Sequence, residues 1–338
     1  MNIEKLKEIL QEQPKFRFKQ CYRAVFCDFK EDWNDVSVLP LELRNKLNKE
    51  CSLEIKSEFI ESQNKKTIKA LVGLENDNLS KDSESFKIET VLMRHGNRNT
   101  VCVSSQLGCP LACEFCATGQ MGFIRNLTKD EIIDQVLLFA RFLKKYDERV
   151  TNVVFMGMGE PFLNYDNVLE SIKVLNDQQA FNIGVRHISI STAGLVDGIK
   201  KLSKENLQVN LAISLHAPND QLRSELMPIN NQYSLGVLLK AVDDYIEKTN
   251  RRVMFEYLLI KDINDSEKYA LELAQLMKNK LYMVNLIPYN PTGKFKASDS
   301  RSIDKFMNIL NKEKINFTQR YKFGKDIKGA CGQLAGRS

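Results

Sequence analysis

No run of about 18 or more apolar residues occurs in the chain, so nothing in it reads as a transmembrane helix. The first residues, Met1-Asn-Ile-Glu-Lys-Leu-Lys-Glu, are charged and helical in pattern and lack the apolar stretch of a secretory signal. Solenoid repeats and low-complexity tracts are also missing. Histidine is scarce, with 3 residues scattered as His95, His187 and His216, and these form no metal-ligand pattern. No signature of a Cys–His hydrolase is present. Neither sign of charge dominates: 49 Lys and Arg against 43 Asp and Glu leave a net charge of +6. That mild basic bias is compatible with a polyanionic partner without pointing to one. The expectation is a cytoplasmic protein outside the membrane, with 338 residues, enough for one large core and a smaller accessory unit.

Cysteine, by contrast, is plentiful at 8 residues, and without secretory features it reads as reduced thiols used for chemistry or metal binding. Three of them fall together in Cys109-Pro-Leu-Ala-Cys113-Glu-Phe-Cys116. One loop with that spacing can wrap a metal centre but supplies three ligands, whereas a closed structural zinc site takes four. A three-cysteine iron–sulfur cluster leaves one iron open to an outside ligand. The spacing alone leaves two readings, a cluster or a zinc loop with a distant fourth ligand. Cys21, Cys27 and Cys51 lack ligand spacing and read as small buried hydrophobes.

Periodicity organises the rest. Ile3, Leu6, Ile9 and Leu10, then Phe18, Cys21, Tyr22, Val25 and Phe26, repeat at helical spacing, which predicts a helical accessory domain over residues 1–70. Lys15, Arg17, Lys19, Arg23 and Lys30 interleave with its aromatics, either as a nucleic-acid surface or as a solvated helix face. A β-rich connector over 71–100 carries Glu89, with a polar loop at Asn76 to Ser85. On pattern alone Glu89 reads as a surface carboxylate on an edge strand. From 101 to 300, strands alternate with helices about six times, and Thr128-Lys-Asp-Glu131 forms a capping box before a wide apolar stripe. This predicts an α/β fold with a partial (βα)6 barrel, its ligands at the C-terminal strand ends. Residues 301–338 form a C-terminal extension in which Cys331 sits between Gly329 and Gly332.

The cysteine loop follows the first strand of that alternation. Together with the strings CATGQMGFIRNLT, FMGMGEP, ISTAG, ISLHAPND, IPYNP and GKDIKGACGQL, it closely resembles the RlmN/Cfr family of radical S-adenosylmethionine (SAM) RNA methyltransferases over nearly the whole chain. The resemblance implies that Cys109, Cys113 and Cys116 hold a [4Fe–4S] cluster. It implies that Gly159, Glu160, Ser191, Ser214, Leu215, His216 and Asn290 contact SAM, two molecules being consumed per methylation. By the same resemblance Cys331 carries the methyl group as S-methylcysteine, and Cys102 resolves the protein–RNA thioether through a transient disulfide with Cys331. Glu89 matches the proton acceptor. Taken alone, Cys102 would read as a buried strand thiol.

The strings look closest to the RlmN branch, which methylates carbon 2 of adenosine in 23S rRNA at the peptidyl transferase centre and in tRNA next to the anticodon. The Cfr branch, methylating carbon 8 of the same rRNA adenosine, is the nearest rival. A rival of another class is a non-catalytic RNA-binding protein with a zinc-stabilised loop. One departure is Pro110, where relatives often carry Asn; a stiffer loop with unaffected ligands is expected. The expected partners are the two RNAs and a low-potential donor such as flavodoxin or ferredoxin, with the chain a monomer. Arg320, Lys322, Lys325 and Lys328 are expected to meet RNA phosphates.

Overall fold

A computed structural model describes residues 1–74, 87–320, 324 and 326–335. The polar segment from Asn76 to Ser85, Lys322 and Lys325 lie outside the described residues. Ten strands form one sheet: β1 (Ser57–Glu61), β2 (Thr67–Gly73), β3 (Lys87–His95), β4 (Arg98–Val103), β7 (Asn152–Phe155), β8 (Ile188–Thr192), β9 (Asn210–Ser214), β10 (Val253–Leu259), β11 (Tyr282–Pro288) and β12 (Phe317–Gln319), in that spatial order. Between β4 and β7 in sequence, β5 (Gln106–Gly108) and β6 (Phe123–Asn126) make a separate two-stranded sheet around the cysteine loop.

From β4 onward every neighbouring pair in the large sheet is parallel, and each strand after β7 is reached through at least one helix. This is the expected α/β alternation, with the strands leaving the sheet on the same side. β1 to β4 pair antiparallel and lengthen the sheet at its other edge. Two details differ from the sequence-based expectation. β1, inside the segment read as mainly helical, belongs to the sheet, and β12 adds a parallel strand after the helix Ser300–Lys312.

The main core fills the sheet and its crossover helices, while a second core gathers Leu6, Val25, Phe26, Trp33 and Leu47 from the N-terminal helices. Trp33 is fully buried, and its indole N–H donates to the Cys51 carbonyl at 2.7 Å. Cys21 and Cys51 are buried there as expected, and Cys27 is half-buried.

The helix Lys129–Lys144 explains its own wide apolar stripe. Ile132, Val136, Phe139 and Leu143 face the main core, whereas Ile133 and Leu137 belong to the N-terminal one. Arg141 reinforces the joint, donating to the carbonyls of Leu53 at 2.8 Å and Lys30 at 2.6 Å. The capping box at Thr128 and Glu131 is formed. Among the described residues no helix is long and apolar enough to cross a membrane.

Candidate functional site

The cysteine loop leaves β5 and returns through β6, pinched where Gly108 and Gly122 meet. A Cβ on Gly108 would lie 1.9 Å from the Gly122 carbonyl oxygen, and Gly108 has φ +77°, so the crossing admits only glycine. Contacts from three other parts of the chain hold the loop. Glu114 N–H donates to the Leu226 carbonyl at 3.0 Å, the Thr292 hydroxyl donates to the Phe115 carbonyl at 3.2 Å, and Ala117 N–H donates to the Gly332 carbonyl at 2.8 Å. Pro110 is exposed, away from these anchors.

Burial pushes the Cys109 thiol up to about 12, and Cys116 and Glu160 nearby add to the effect. Cys113 is driven well up by burial and by Cys116 and Cys109. Cys109 and Cys113 therefore resist losing their protons unless positive metal replaces them, which suits a thiolate-held centre. Among the described residues no three His, Cys, Asp or Glu side chains converge closely enough to share one metal ion. Ligands of one zinc ion stand about 4 Å from each other. In a four-iron cluster each thiolate takes a different iron, so the sulfurs need not close on one point. The donor set therefore fits a three-cysteine cluster.

Beside the loop lie the strand ends that the resemblance assigns to SAM. Gly159 follows β7 with φ +96°, and a Cβ there would come within 2.5 Å of Gln106 Cβ and 2.8 Å of Gln106 N. Gly159→Ala is expected to cost about 1–3 kcal/mol by forcing the turn apart, read as a fall in thermal midpoint together with weaker SAM binding by calorimetry. Glu160 is buried; its two oxygens accept from Phe162 N–H at 3.0 Å and Ala193 N–H at 2.7 Å. Burial raises its carboxyl to about 7.

Ser191 lies near the end of β8 and Ser214 ends β9, both half-buried, while Leu215 is fully buried. His216 takes the left-handed conformation at φ 56°, accepts from Leu258 N–H at 3.1 Å and packs edge-on against Phe115 at 4.8 Å. Burial, with help from Arg223, drops its pKa to about 3, so the ring is neutral.

Arg223, which sequence reasoning missed, ties these ends together. Its guanidinium is 1% exposed and donates to the carbonyls of Leu215 at 3.3 Å, Ala193 at 2.7 Å and Ser214 at 3.1 Å, and to Asn230 Oδ1 at 2.9 Å. Nothing in its local helical pattern marks it.

A small pocket of about 40 Å³ is lined by Cys102, Met156, Asn290, Arg320 and Cys331 among others. It unites the two outlying cysteines. Cys102 is buried on β4, and Cys331 is exposed on the C-terminal tail. Gly332 and Leu334 flank the tail cysteine and fix it to the cluster loop, the Thr118 hydroxyl donating to the Leu334 carbonyl at 2.6 Å. Burial pushes the Cys102 thiol up to about 12, Cys331 adds to this, and Arg320 pulls it back. The Cys331 thiol is also raised by the protein packed around it, with Arg320 opposing and Glu256 and Cys116 adding.

Arg320, expected near the mouth of the site, has its guanidinium in the lining of the cysteine pocket, 4.0 Å from Glu256 and 3.6 Å from Met156 Sδ. The β11–β12 pairing turns it inward, its N–H donating to the Leu286 carbonyl at 2.8 Å. Glu256, a carboxylate in the otherwise apolar β10, was also missed, although a charge inside a buried strand is a readable signal.

Glu89 is neither on an edge strand nor at the surface. β3 lies between β2 and β4, and Glu89 is 1% exposed. Its Oε1 is 3.1 Å from Lys69 Nζ, and its Oε2 accepts from Ala335 N–H at 3.2 Å. It shares a sheet face with Cys102, because Val91, two residues along β3, pairs with Cys102. It does not line the pocket.

Comparison with known proteins agrees with this arrangement. Residues 103–274 match the radical SAM superfamily. The chain is 45% identical to a probable dual-specificity RNA methyltransferase RlmN of Dictyoglomus thermophilum, over 98% of this chain and 94% of that relative. It is 43% identical to a ribosomal RNA large subunit methyltransferase N of Nitrosopumilus maritimus, over 95% and 92%. The crystal structure of a radical SAM methyltransferase from Sphaerobacter thermophilus superposes with a TM-score of 0.92 at 41% identity, covering 100% of this chain and 98% of that one. A three-cysteine loop on an α/β sheet, with two further cysteines meeting in the pocket beside it, accords with these matches: the chain belongs to the radical SAM superfamily and, within it, to the RlmN family of methyltransferases.

Proposed function

We propose that the protein is a radical SAM RNA methyltransferase that makes 2-methyladenosine in 23S rRNA and in tRNA. The observation that carries this reading is the shared pocket of Cys102 and Cys331 beside the cysteine loop. Adenine carbon 2 is electron-poor and offers no nucleophile for direct displacement on SAM, so a radical route with a protein-borne methyl group is needed. Cys109, Cys113 and Cys116 would hold a [4Fe–4S] cluster, which would supply the one electron needed for reductive cleavage of SAM.

The chain's own residues do the rest. Gly159, Glu160, Ser191, Ser214, Leu215, His216 and Asn290 hold SAM at the strand ends, Glu160 offering a buried carboxylate to a cationic group. Cys331 takes a methyl group from one SAM, gives up a hydrogen atom from it to the 5′-deoxyadenosyl radical of a second SAM, and joins the remaining methylene carbon to adenine carbon 2; the unpaired electron left on the adduct would return to the oxidised cluster that Cys109, Cys113 and Cys116 would hold. Glu89 accepts the proton lost from that carbon. Cys102 then attacks the Cys331 sulfur as its thiolate; the S–S bond forms as the S–C bond breaks, the base-borne carbon leaves with that electron pair and takes a proton to become the methyl group, and an external reductant opens the disulfide. A low-potential flavodoxin or ferredoxin is the proposed electron source, and the N-terminal helices together with Lys328 are the proposed RNA contacts.

Nucleoside mass spectrometry after anaerobic turnover with deuterated SAM on rRNA fragments and tRNA tests the reading. The label is expected in 2-methyladenosine. Methylation only at carbon 8 would overturn the choice of carbon 2 and favour the Cfr-type activity.

A further inference from the structure

Lys69 is a cation where the fold has no need of one. It sits in the middle of β2, between β1 and β3, in a strand whose residues from Thr67 to Val72 are all buried, and it is itself 4% exposed. Burying an ammonium is costly unless a counter-charge meets it. Its ion pair among the described residues is with Glu89, Nζ to Oε1 at 3.1 Å, and neither side chain is more than 5% exposed.

The sheet register ties this pair to the reacting cysteines. Lys69 pairs with Val91 on β3, and Val91 pairs with Cys102 on β4, so the three form one cross-strand row. Glu89 lies two residues from Val91 on the same face. The second oxygen of Glu89 is taken by Ala335 N–H, on the tail that carries Cys331.

We propose that Lys69 is a positioning residue for the proton-accepting step, its ammonium fixing the Glu89 carboxylate beside the Cys102 row. The inference rests on the reading of Glu89 as the proton acceptor. In that step the adenine carbon 2 proton moves to Glu89, the C–H electron pair stays in the ring, and Lys69 keeps its proton throughout. A neutral carboxylic acid cannot accept that proton, so Glu89 must enter the step ionised. Burial pushes Glu89 towards the neutral form, and Lys69 opposes it more than the Ala335 N–H does. Lys69 is the charged group facing Glu89 among the described residues.

The test compares Lys69→Met, Lys69→Gln, Lys69→Arg and Glu89→Gln in the full-length, cluster-loaded protein. Intact mass reports methylation of Cys331, which requires the fold but not Glu89. The pH profile of RNA methylation reports the proton step. For Lys69→Met, we expect full Cys331 methylation, at least tenfold slower RNA methylation near neutral pH, and an acid limb displaced to higher pH, so that part of the rate returns on raising the pH. Lys69→Gln, which retains a hydrogen-bond donor, gives the same displacement if the Met variant fails to accumulate, and Lys69→Arg restores the parent profile. Parent-like profiles for Lys69→Met and Lys69→Gln, alongside an inactive Glu89→Gln, would overturn the role of Lys69 alone. Normal turnover by Glu89→Gln would remove the proton acceptor and with it the inference.

Discussion

Cys331→Ala is expected to bring methyl transfer to RNA down to background while leaving the iron and sulfide content unchanged. The tail that carries Cys331 is held by backbone and neighbouring groups: Gly332 and Leu334 carbonyls on the cluster loop, Gln333 Nε2 on the Pro291 carbonyl at 3.2 Å, and Ala335 N–H on Glu89. Cys331 is exposed as a residue and its thiol lines the open pocket, so removing it is expected to change stability by no more than about 0.5 kcal/mol. What disappears is the sulfur proposed to carry the methyl group. Intact mass of the parent protein after incubation with SAM is expected to show one added methyl, absent from the variant. Activity of Cys331→Ala near the parent level would refute the methyl-carrier route, and the unchanged cluster separates that outcome from misfolding.

Cys102→Ala is expected to stop after one event and to accumulate a covalent protein–RNA adduct, approaching one per chain. The bond from the Cys331 sulfur to the adenine-borne carbon then has no second thiol to break it. Cys102 is 8% exposed within β4, paired to β3 and β7, so the smaller side chain costs on the order of 1 kcal/mol and the strand persists. Denaturing electrophoresis with labelled RNA, followed by nuclease digestion and peptide mass analysis, measures the adduct. Repeated turnover with no adduct would refute the resolving role.

The parent protein adds a pH signature to the same step. The Cys102 thiol, held up at about 12, would attack as its thiolate, whose fraction rises tenfold per pH unit below that value. Adduct resolution is therefore expected to accelerate as pH rises through neutrality. Arg320, shared between the two sulfurs, limits how slow that attack is at low pH.

Several features of this site were legible before any fold was known. The Cys109–Cys113–Cys116 spacing, the capping box at Thr128 and the strand–helix alternation are patterns within a few residues, and local hydrogen bonding and side-chain periodicity produce them directly. Glu89 shows how local pattern misleads. One carboxylate among apolar strand residues reads as an exposed edge position until β2 and β4 are known to cover both sides of β3 and Lys69 to meet its charge. Arg320 shows the same limit: its local pattern marks a basic residue, and only the pairing of β12 with β11 places it in the lining of the cysteine pocket.

The sequence by itself determined the three-thiolate loop, the α/β order of elements and the residue types present for chemistry, because each is written in neighbours along the chain. Only the tertiary structure decided which distant groups meet. The docking of the tail on the cluster loop joins Cys331 to Cys102, and the burial of Arg223 ties together the ends of β8 and β9. Antiparallel pairing of β2 with β3 sets Lys69 against Glu89. These meetings follow from strand register and burial, whose partners are far apart in sequence and leave no periodic trace in it.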